Sequence, residues 1–214
     1  MSETDLAAAY AARRPALDRL AQDLALMARD ALDGVPHIDR INFRVKDQSS
    51  FVKKATQSKY SNPLAELEDQ VAGRVITFFR DDIHIVRERL TEWFGDVEHE
   101  FKEPAGPTEF GYQSDHYVFV IAEHWKPDGW QALESMPTTF ELQIRTLFMH
   151  AWAEPQHDLG YKSDTLVDRD TMRELAWVAA SAWGADRTLN EVARRLDPTA
   201  ANRPPLHPPP PDHV

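Results

Sequence analysis

From Phe140 onward the chain sets out polar side chains in a row. Phe140, Leu142 and Ile144 alternate with Glu141, Gln143 and Arg145. A β-strand sends successive side chains to opposite faces, so the first three share a buried face and a carboxylate, a carboxamide and a guanidinium share the other. From Thr146 the spacing becomes helical, with Leu147, His150, Glu154 and His157 three or four apart and close to one face. Pro155 either kinks that helix or restarts it. A strand followed at once by a helix is a rigid way to hold a site.

Two other stretches carry chemistry. Between Asp39 and Lys59 lie six basic residues (Arg40, Arg44, Lys46, Lys53, Lys54, Lys59) against two acids, Asp39 and Asp47. A basic island in a chain of net charge −11 suits a polyphosphate better than a long duplex. A helix starting at Asp47 or Ser49 would add its backbone N–H groups to the lysines in holding phosphate oxygens. Asp69, near the start of a strand whose first residues include Arg74, supplies a second carboxylate to set beside Glu141. Two such carboxylates can hold a divalent cation through oxygen ligands. Gly111-Tyr112 precedes a strong strand, where the ring can stack on a flat ligand or sit in the core. Together these features suit phosphoryl-type transfer from a nucleotide. No Gly-rich phosphate loop ending in Gly-Lys-Ser/Thr, no protein-kinase signature and no His-Glu-x-x-His zinc motif occurs.

The elements that must position these residues read as a mixed α/β or α+β domain, with strands near 40–45, 74–79, 116–121 and 140–145 and helices between. Residues 4–33 form one kinked helix, or a short helix and then a longer one beginning near Pro15, capped by Ser2 or Thr4. Arg13 interrupts its apolar stripe. A short helix runs from Pro63 to Asp69, and Gly73 ends it or bends the chain. Val75, Ile76, Phe78 and Phe79 form a core strand. Asp81 or Asp82 caps the next helix, whose inner residues include Ile83, Ile85, Val86, Leu90 and Trp93. Residues 96–115 form a long turn-rich segment, and Trp125 to Trp130 a hairpin excursion. A helix over 168–196, capped by Asp168 or Asp170 and either continuous or divided at Gly184, has an apolar stripe (Met172, Leu175, Ala176, Ala179, Ala182, Trp183, Leu189, Val192, Leu196) that must pack on the body or on another subunit. Seven prolines in 198–214 mark a disordered or polyproline tail.

Composition bounds the rest. The 214 residues are 42% apolar, which permits a sizeable core, and the absence of Cys excludes disulfides, thiol catalysis and thiolate metal sites. No apolar run spans a bilayer and no signal-peptide core is present, so a cytoplasmic protein is expected, with no membrane partner.

Four blocks, in this order and spacing, resemble the synthetase domain of the RelA/SpoT family in its small stand-alone form: Arg44 to Lys54; Asp69 to Ile76 with Phe79 to Ile83; Gly111 to His116; and Glu141 to Thr146 continuing through His150 to Lys162. The resemblance covers roughly residues 40–163. It implies an α+β, nucleotidyltransferase-like fold with a mixed β-sheet of about five strands flanked by helices. It also implies one synthetase domain over 1–197, ahead of the proline-rich tail. The implied activity is a GTP/GDP pyrophosphokinase. Such an enzyme moves the β,γ-pyrophosphate of ATP to the 3′-hydroxyl of GDP or GTP, making the alarmones ppGpp and pppGpp of the stringent response and releasing AMP.

By this resemblance Arg44 and Arg74 would sandwich the adenine, and Lys46, Ser50 and Lys54 would hold the rest of ATP. Asp69 and Glu141 would be catalytic and hold Mg²⁺, Glu141 also serving as general base. Tyr112 would stack on the acceptor base, and His116, Gln143, Arg145 and His150 would line the acceptor pocket. Thr108 and Glu109 stand where such enzymes usually place a lysine before the Gly-Tyr pair, and Asp115 where an aliphatic residue is common. These departures, with Asp69-Gln70-Val71 and His150-Ala151-Trp152-Ala153, are similar to a divergent toxin branch. That branch modifies the 3′ end of tRNA or makes adenosine alarmones, and it implies an antitoxin partner. A homo-oligomer through the terminal helices is compatible with the same reading.

Overall fold

The structure, a computed structural model, describes residues 2–95, 97–102, 104, 106, 109–110, 114–162 and 168–197, with the side chains of Val97 and of residues 156–162 outside that description. The N-terminal stretch is one helix, Glu3–Ala31 (α1). Ser2 caps it: its hydroxyl accepts the Asp5 N–H at 3.2 Å while the Asp5 carboxylate accepts the Ser2 N–H at 3.1 Å. Pro15 lies inside the helix without dividing it. Arg13, the break in the apolar stripe, is buried, and its guanidinium donates to the carbonyls of Ala9 and Glu134. The stripe is thus completed by an arginine whose two Nη groups bond backbone oxygens, while its buried Nε has no hydrogen-bond partner among the described residues.

Five strands follow: Ile38–Val45 (β1), Val71–Thr77 (β2), Val97–Lys102 (β3), Ser114–Val120 (β4) and Thr139–Thr146 (β5). They form one mixed sheet in the order β1-β2-β5-β4-β3, in which β2 and β5 are parallel and all other neighbours antiparallel. The helices between and after them are Gln48–Ala55 (α2), Pro63–Glu66 (α3), Arg80–Phe94 (α4), Leu147–Lys162 (α5) and Arg169–Leu196 (α6), with a 3₁₀ turn at Glu68–Gln70. The main core joins Leu17, Leu20 and Leu24 of α1 to Val75, Phe140 and Leu142 of the sheet and Val86 and Leu90 of α4. Among the described residues no helix is long and apolar enough to cross a membrane.

Several expectations are corrected. β3 lies within the stretch read as turn-rich loop. It lies at the sheet edge, and only two of its six residues, Val97 and Phe101, are apolar, so its sequence carries little strand signal. Gly73 neither ends a helix nor bends the chain but lies mid-strand in β2. A Cβ there would come within 2.6 Å of the Phe43 ring and closer still to Leu142, so the close packing of three strands requires glycine. β2 starts earlier than expected and ends at Thr77, leaving Phe78 41% exposed. Phe79, not an aspartate, is the N-cap of α4, and Asp82 reaches back to accept the Phe79 N–H at 3.3 Å. On α4 the inward aromatic is Phe94, with Trp93 exposed. Gly184 does not divide α6, and Asp168 caps it by accepting from Asp170 and Thr171. Of the α6 stripe only Ala179 and Ala182 are buried, while Met172 and Leu196 are exposed. Polar clasps hold this helix as well: Arg194 makes two bonds to the buried Asp81 carboxylate, at 2.5 and 2.7 Å, and Asp186 takes the Thr146 hydroxyl at 2.5 Å. The proline-rich tail, 198–214, lies outside the described residues.

Candidate active site

Register assembles the site. Ala72 of β2 pairs with Glu141 of β5, and Arg74 with Gln143. Arg44 lies opposite Ala72 and Asn42 opposite Arg74, while His116 lies opposite Gln143. Residues paired in register share a face. Arg44, Arg74, His116, Glu141 and Gln143 therefore stand on the face opposite the core residues Phe43, Val75, Leu142 and Ile144.

Local packing then fixes the charged centre. Tyr10 of α1 stacks on Phe51 of α2 with ring centroids 4.0 Å apart, and its hydroxyl donates to the Lys46 carbonyl at 2.8 Å. The Lys46 N–H in turn donates to the Gln70 carbonyl at 2.9 Å. Gln70 is fully buried and its carboxamide bonds the Leu64 and Leu67 carbonyls, which pins the 3₁₀ turn carrying Asp69. On this frame Lys46 and Lys54 both donate to Asp69 Oδ2, at 2.6 and 3.0 Å. Asp69 Oδ1 is buried with no hydrogen-bond partner among the described residues. Burial opposes the charge on Lys54, but the Asp69 carboxylate outweighs it and holds the lysine pKa above its ordinary value.

Glu141 shares this centre. Burial alone would raise its carboxyl pKa, but hydrogen bonds from His116 and Gln143, with the charges of His116 and Lys54, bring it down to about 2. His116 Nδ1 lies 3.3 Å from its Oε1. From Glu141 a chain of polar contacts crosses the face. The Gln143 carboxamide donates to Glu141, and its oxygen accepts from Arg145 Nη2 and, at 3.3 Å, from Arg74 Nε. Arg74 Nη1 donates to Glu154 of α5, which also lies 3.5 Å from Arg145 Nη1 and 3.9 Å from His150 Nδ1. Burial, and then the nearby arginines, lower the His150 pKa against the pull of Glu154, so the imidazole is neutral near pH 7. Thr146 anchors the start of α5: its hydroxyl accepts the Met149 N–H at 3.2 Å while donating to Asp186.

Lys46, Lys54, Asp69, Arg74, His116, Glu141, Gln143, Arg145 and His150 thus lie in two linked clusters. Arg44 is exposed on the same face, and its side chain makes no hydrogen bond or ion pair with another described residue. Ser50 is half-buried on α2. Tyr112 and Thr108, and the His157 side chain, lie outside the described residues. Asp115 points to the core side, where it accepts from His99 at 2.8 Å and takes no part in the charged face. Two contributors escaped sequence reasoning. Glu154 stood on the correct helix face, four residues from His150, but its arginine partners are remote in sequence. Tyr10 carried only the signal of an apolar stripe.

Two lysines converging on a carboxylate, with a second carboxylate on the adjacent strand, can exchange partners with phosphate oxygens and a cation. The region described as found in RelA / SpoT proteins matches residues 43–166. The chain belongs to the RelA/SpoT family. Among curated relatives it is similar to GTP pyrophosphokinase YjbM of Bacillus subtilis, 31% identical over 160 residues that make up 72% of each chain. Its fold is that of small alarmone synthetase 1 from Bacillus subtilis. The structure of that protein bound to its product pppGpp matches with TM-score 0.64 and 22% identity over 85% of this chain and 95% of that one. Its structure bound to AMPCPP matches with TM-score 0.62 and 24% identity over 85% and 94%. The α+β fold expected from the family resemblance, a five-stranded mixed sheet flanked by helices, is the one observed.

Proposed function

We propose that this RelA/SpoT protein is an ATP-dependent pyrophosphokinase that transfers the β,γ-pyrophosphate of ATP to the 3′-hydroxyl of GDP or GTP, forming ppGpp or pppGpp and releasing AMP. The observation that carries this reading is the convergence of Lys46 and Lys54 on Asp69 beside Glu141, in a chain similar to a named GTP pyrophosphokinase. Lys46 and Lys54 leave Asp69 for the phosphates of ATP, with Ser50 beside them, and Arg44 and Arg74 take the adenine ring between their planar guanidinium groups. Tyr112, His116, Gln143, Arg145 and His150 hold the acceptor. The unpartnered, buried Oδ1 of Asp69 fits an oxygen ligand, and with Glu141 it would hold Mg²⁺. That cation, when bound, supplies screening of the phosphate charge.

The chain's own residues do the remaining work. They align the 3′-hydroxyl with the β-phosphorus and the departing AMP oxygen. The bond from the 3′-oxygen to the β-phosphorus forms as the bond to the α-phosphate bridging oxygen breaks, and AMP leaves with that oxygen. The hydroxyl proton passes to Glu141. A carboxylate with a pKa of about 2 is a weak base, which suffices where the proton is lost late, as in a loose transition state.

The test is a transfer assay with γ-labelled ATP and Mg²⁺, offering GDP, GTP, AMP or deacylated tRNA separately. Label on GDP or GTP supports the reading. Label on tRNA or AMP alone overturns it in favour of the toxin-type branch. Glu141→Gln should abolish transfer in protein that is less stable but still folded.

A further inference from the structure

Glu154 touches both a side chain that the proposed function gives to the donor and side chains that it gives to the acceptor. It accepts from Arg74, and it lies 3.5 Å from Arg145 Nη1 and 3.9 Å from His150 Nδ1. Its side chain is 45% exposed, whereas those of Arg145 and His150 are 5% and 14% exposed. The carboxylate therefore closes the face from the solvent side over groups that are themselves buried. Gln143 also receives both arginines, but it is neutral and its other end is committed to Glu141.

We propose that Glu154 is a positioning residue that couples the two nucleotide sites. In the nucleotide-free protein it ties Arg74 and Arg145 together, and displacing it for one nucleotide readies the site for the other. The inference rests on the donor and acceptor assignments of the proposed function. Arg74 cannot lie flat on an adenine while its Nη1 is held by a carboxylate on α5, and Arg145 cannot give its full charge to an acceptor beside the same anion. Whichever nucleotide arrives first must swing Glu154 aside. The second then meets an arginine already released. Affinity is reduced by the fraction of protein in the tied state, and a first ligand that removes this state makes the second bind more tightly. The effect is reciprocal by linkage. Pro155 eases the movement: it has no N–H for the Ala151 carbonyl, so the turn of α5 that carries Glu154 is held by one bond fewer.

The size follows from exposure. A half-exposed ion pair is weak, so the coupling belongs at the low end of the usual range, about fivefold. The experiment titrates AMPCPP into the full chain with and without saturating GDP, and GDP with and without AMPCPP, by calorimetry. In the native chain each nucleotide should bind about fivefold more tightly when the other is present. Glu154→Gln, which keeps the shape but not the charge, should bind each nucleotide alone as tightly as the native chain binds it in the ternary complex. Its KM for each nucleotide measured at low co-substrate should fall to the native value measured at saturating co-substrate. Glu154→Asp should restore part of the synergy. Native binding that is indifferent to the second nucleotide, or synergy that survives Glu154→Gln, overturns the proposal while the function stands. If neither nucleotide binds the native chain, the proposed function fails and the coupling with it.

Discussion

Asp186 should weaken the fold at neutral pH, and replacing it with asparagine should stabilise the protein. The residue lies on α6 and is 6% exposed. Its Oδ2 takes the Thr146 hydroxyl, and Oδ1 has no hydrogen-bond partner among the described residues. Burial raises its pKa from 3.8 to about 6, against the opposing pull of the Thr146 hydrogen bond and the Arg80 charge. Between those values the unfolded chain has released this proton while the folded chain keeps it. Stability therefore falls as pH rises through that window. The displacement corresponds to about 3 kcal/mol lost by pH 7 relative to pH 3.8. An asparagine side chain here would still accept the Thr146 hydroxyl, but its NH₂ replaces the unpartnered oxygen and costs about 1 kcal/mol. The net expectation for Asp186→Asn is a gain of about 2 kcal/mol at pH 7.5, shrinking to nothing or a slight loss near pH 4. Urea denaturation of both proteins at a series of pH values measures it. A stability difference that does not change with pH, or a loss that grows toward neutral pH, refutes the reasoning.

Three further outcomes follow from the packing and charges. Glu141 has the opposite sign: its pKa is lowered from 4.5 to about 2. Its stabilisation is full above the unfolded value and is lost as pH falls toward 2, so Glu141→Gln should cost about 3 kcal/mol at pH 7 and progressively less in acid, read by the same denaturation series. Gly73→Ala forces a methyl into Phe43 and Leu142 and should cost about 2 kcal/mol or more, seen as a lower thermal midpoint. Tyr10→Phe keeps the stacking on Phe51 but loses the bond to the Lys46 carbonyl. It should cost about 1 kcal/mol and raise KM for ATP more than it lowers kcat, measured by AMP release.

What the sequence made legible was local. The row Glu141, Gln143, Arg145 could be read because polar and apolar residues alternate in sequence, and burial alternates with them from Thr139 to Ile144, although Arg145 is itself buried. The helix that follows it, and the Asp168 cap, could be read for the same kind of reason. β3 could not, because an edge strand keeps charged residues on its exposed positions and carries little apolar pattern. Gly73 reads as a helix end or bend because glycine signals a turn by its freedom of φ, but in β2 it is needed for its missing Cβ. The hub at Glu154 was illegible for a different reason. Arg74 lies 80 positions away in the chain, and only the pairing of β2 with β5 brings it near.

That pairing explains why the charges gather where they do. A parallel pair brings the same ends of two strands together, so the turn holding Asp69, just before β2, lies beside the start of β5 at Glu141. An antiparallel pairing of the same strands would place Asp69 beside the far end of β5, near Arg145 and Thr146. Most of the ions so gathered already have a partner. Asp69 is held by Lys46 and Lys54, Glu141 by His116 and Gln143, and Arg74 and Arg145 by Glu154. Nucleotide binding at this face is then an exchange of partners, in which each new charge-assisted bond replaces an existing one. The net affinity must be much smaller than the number of contacts suggests. Geometry that only the reacting pair of nucleotides can satisfy, rather than bulk attraction to phosphate, is left to decide what the site accepts.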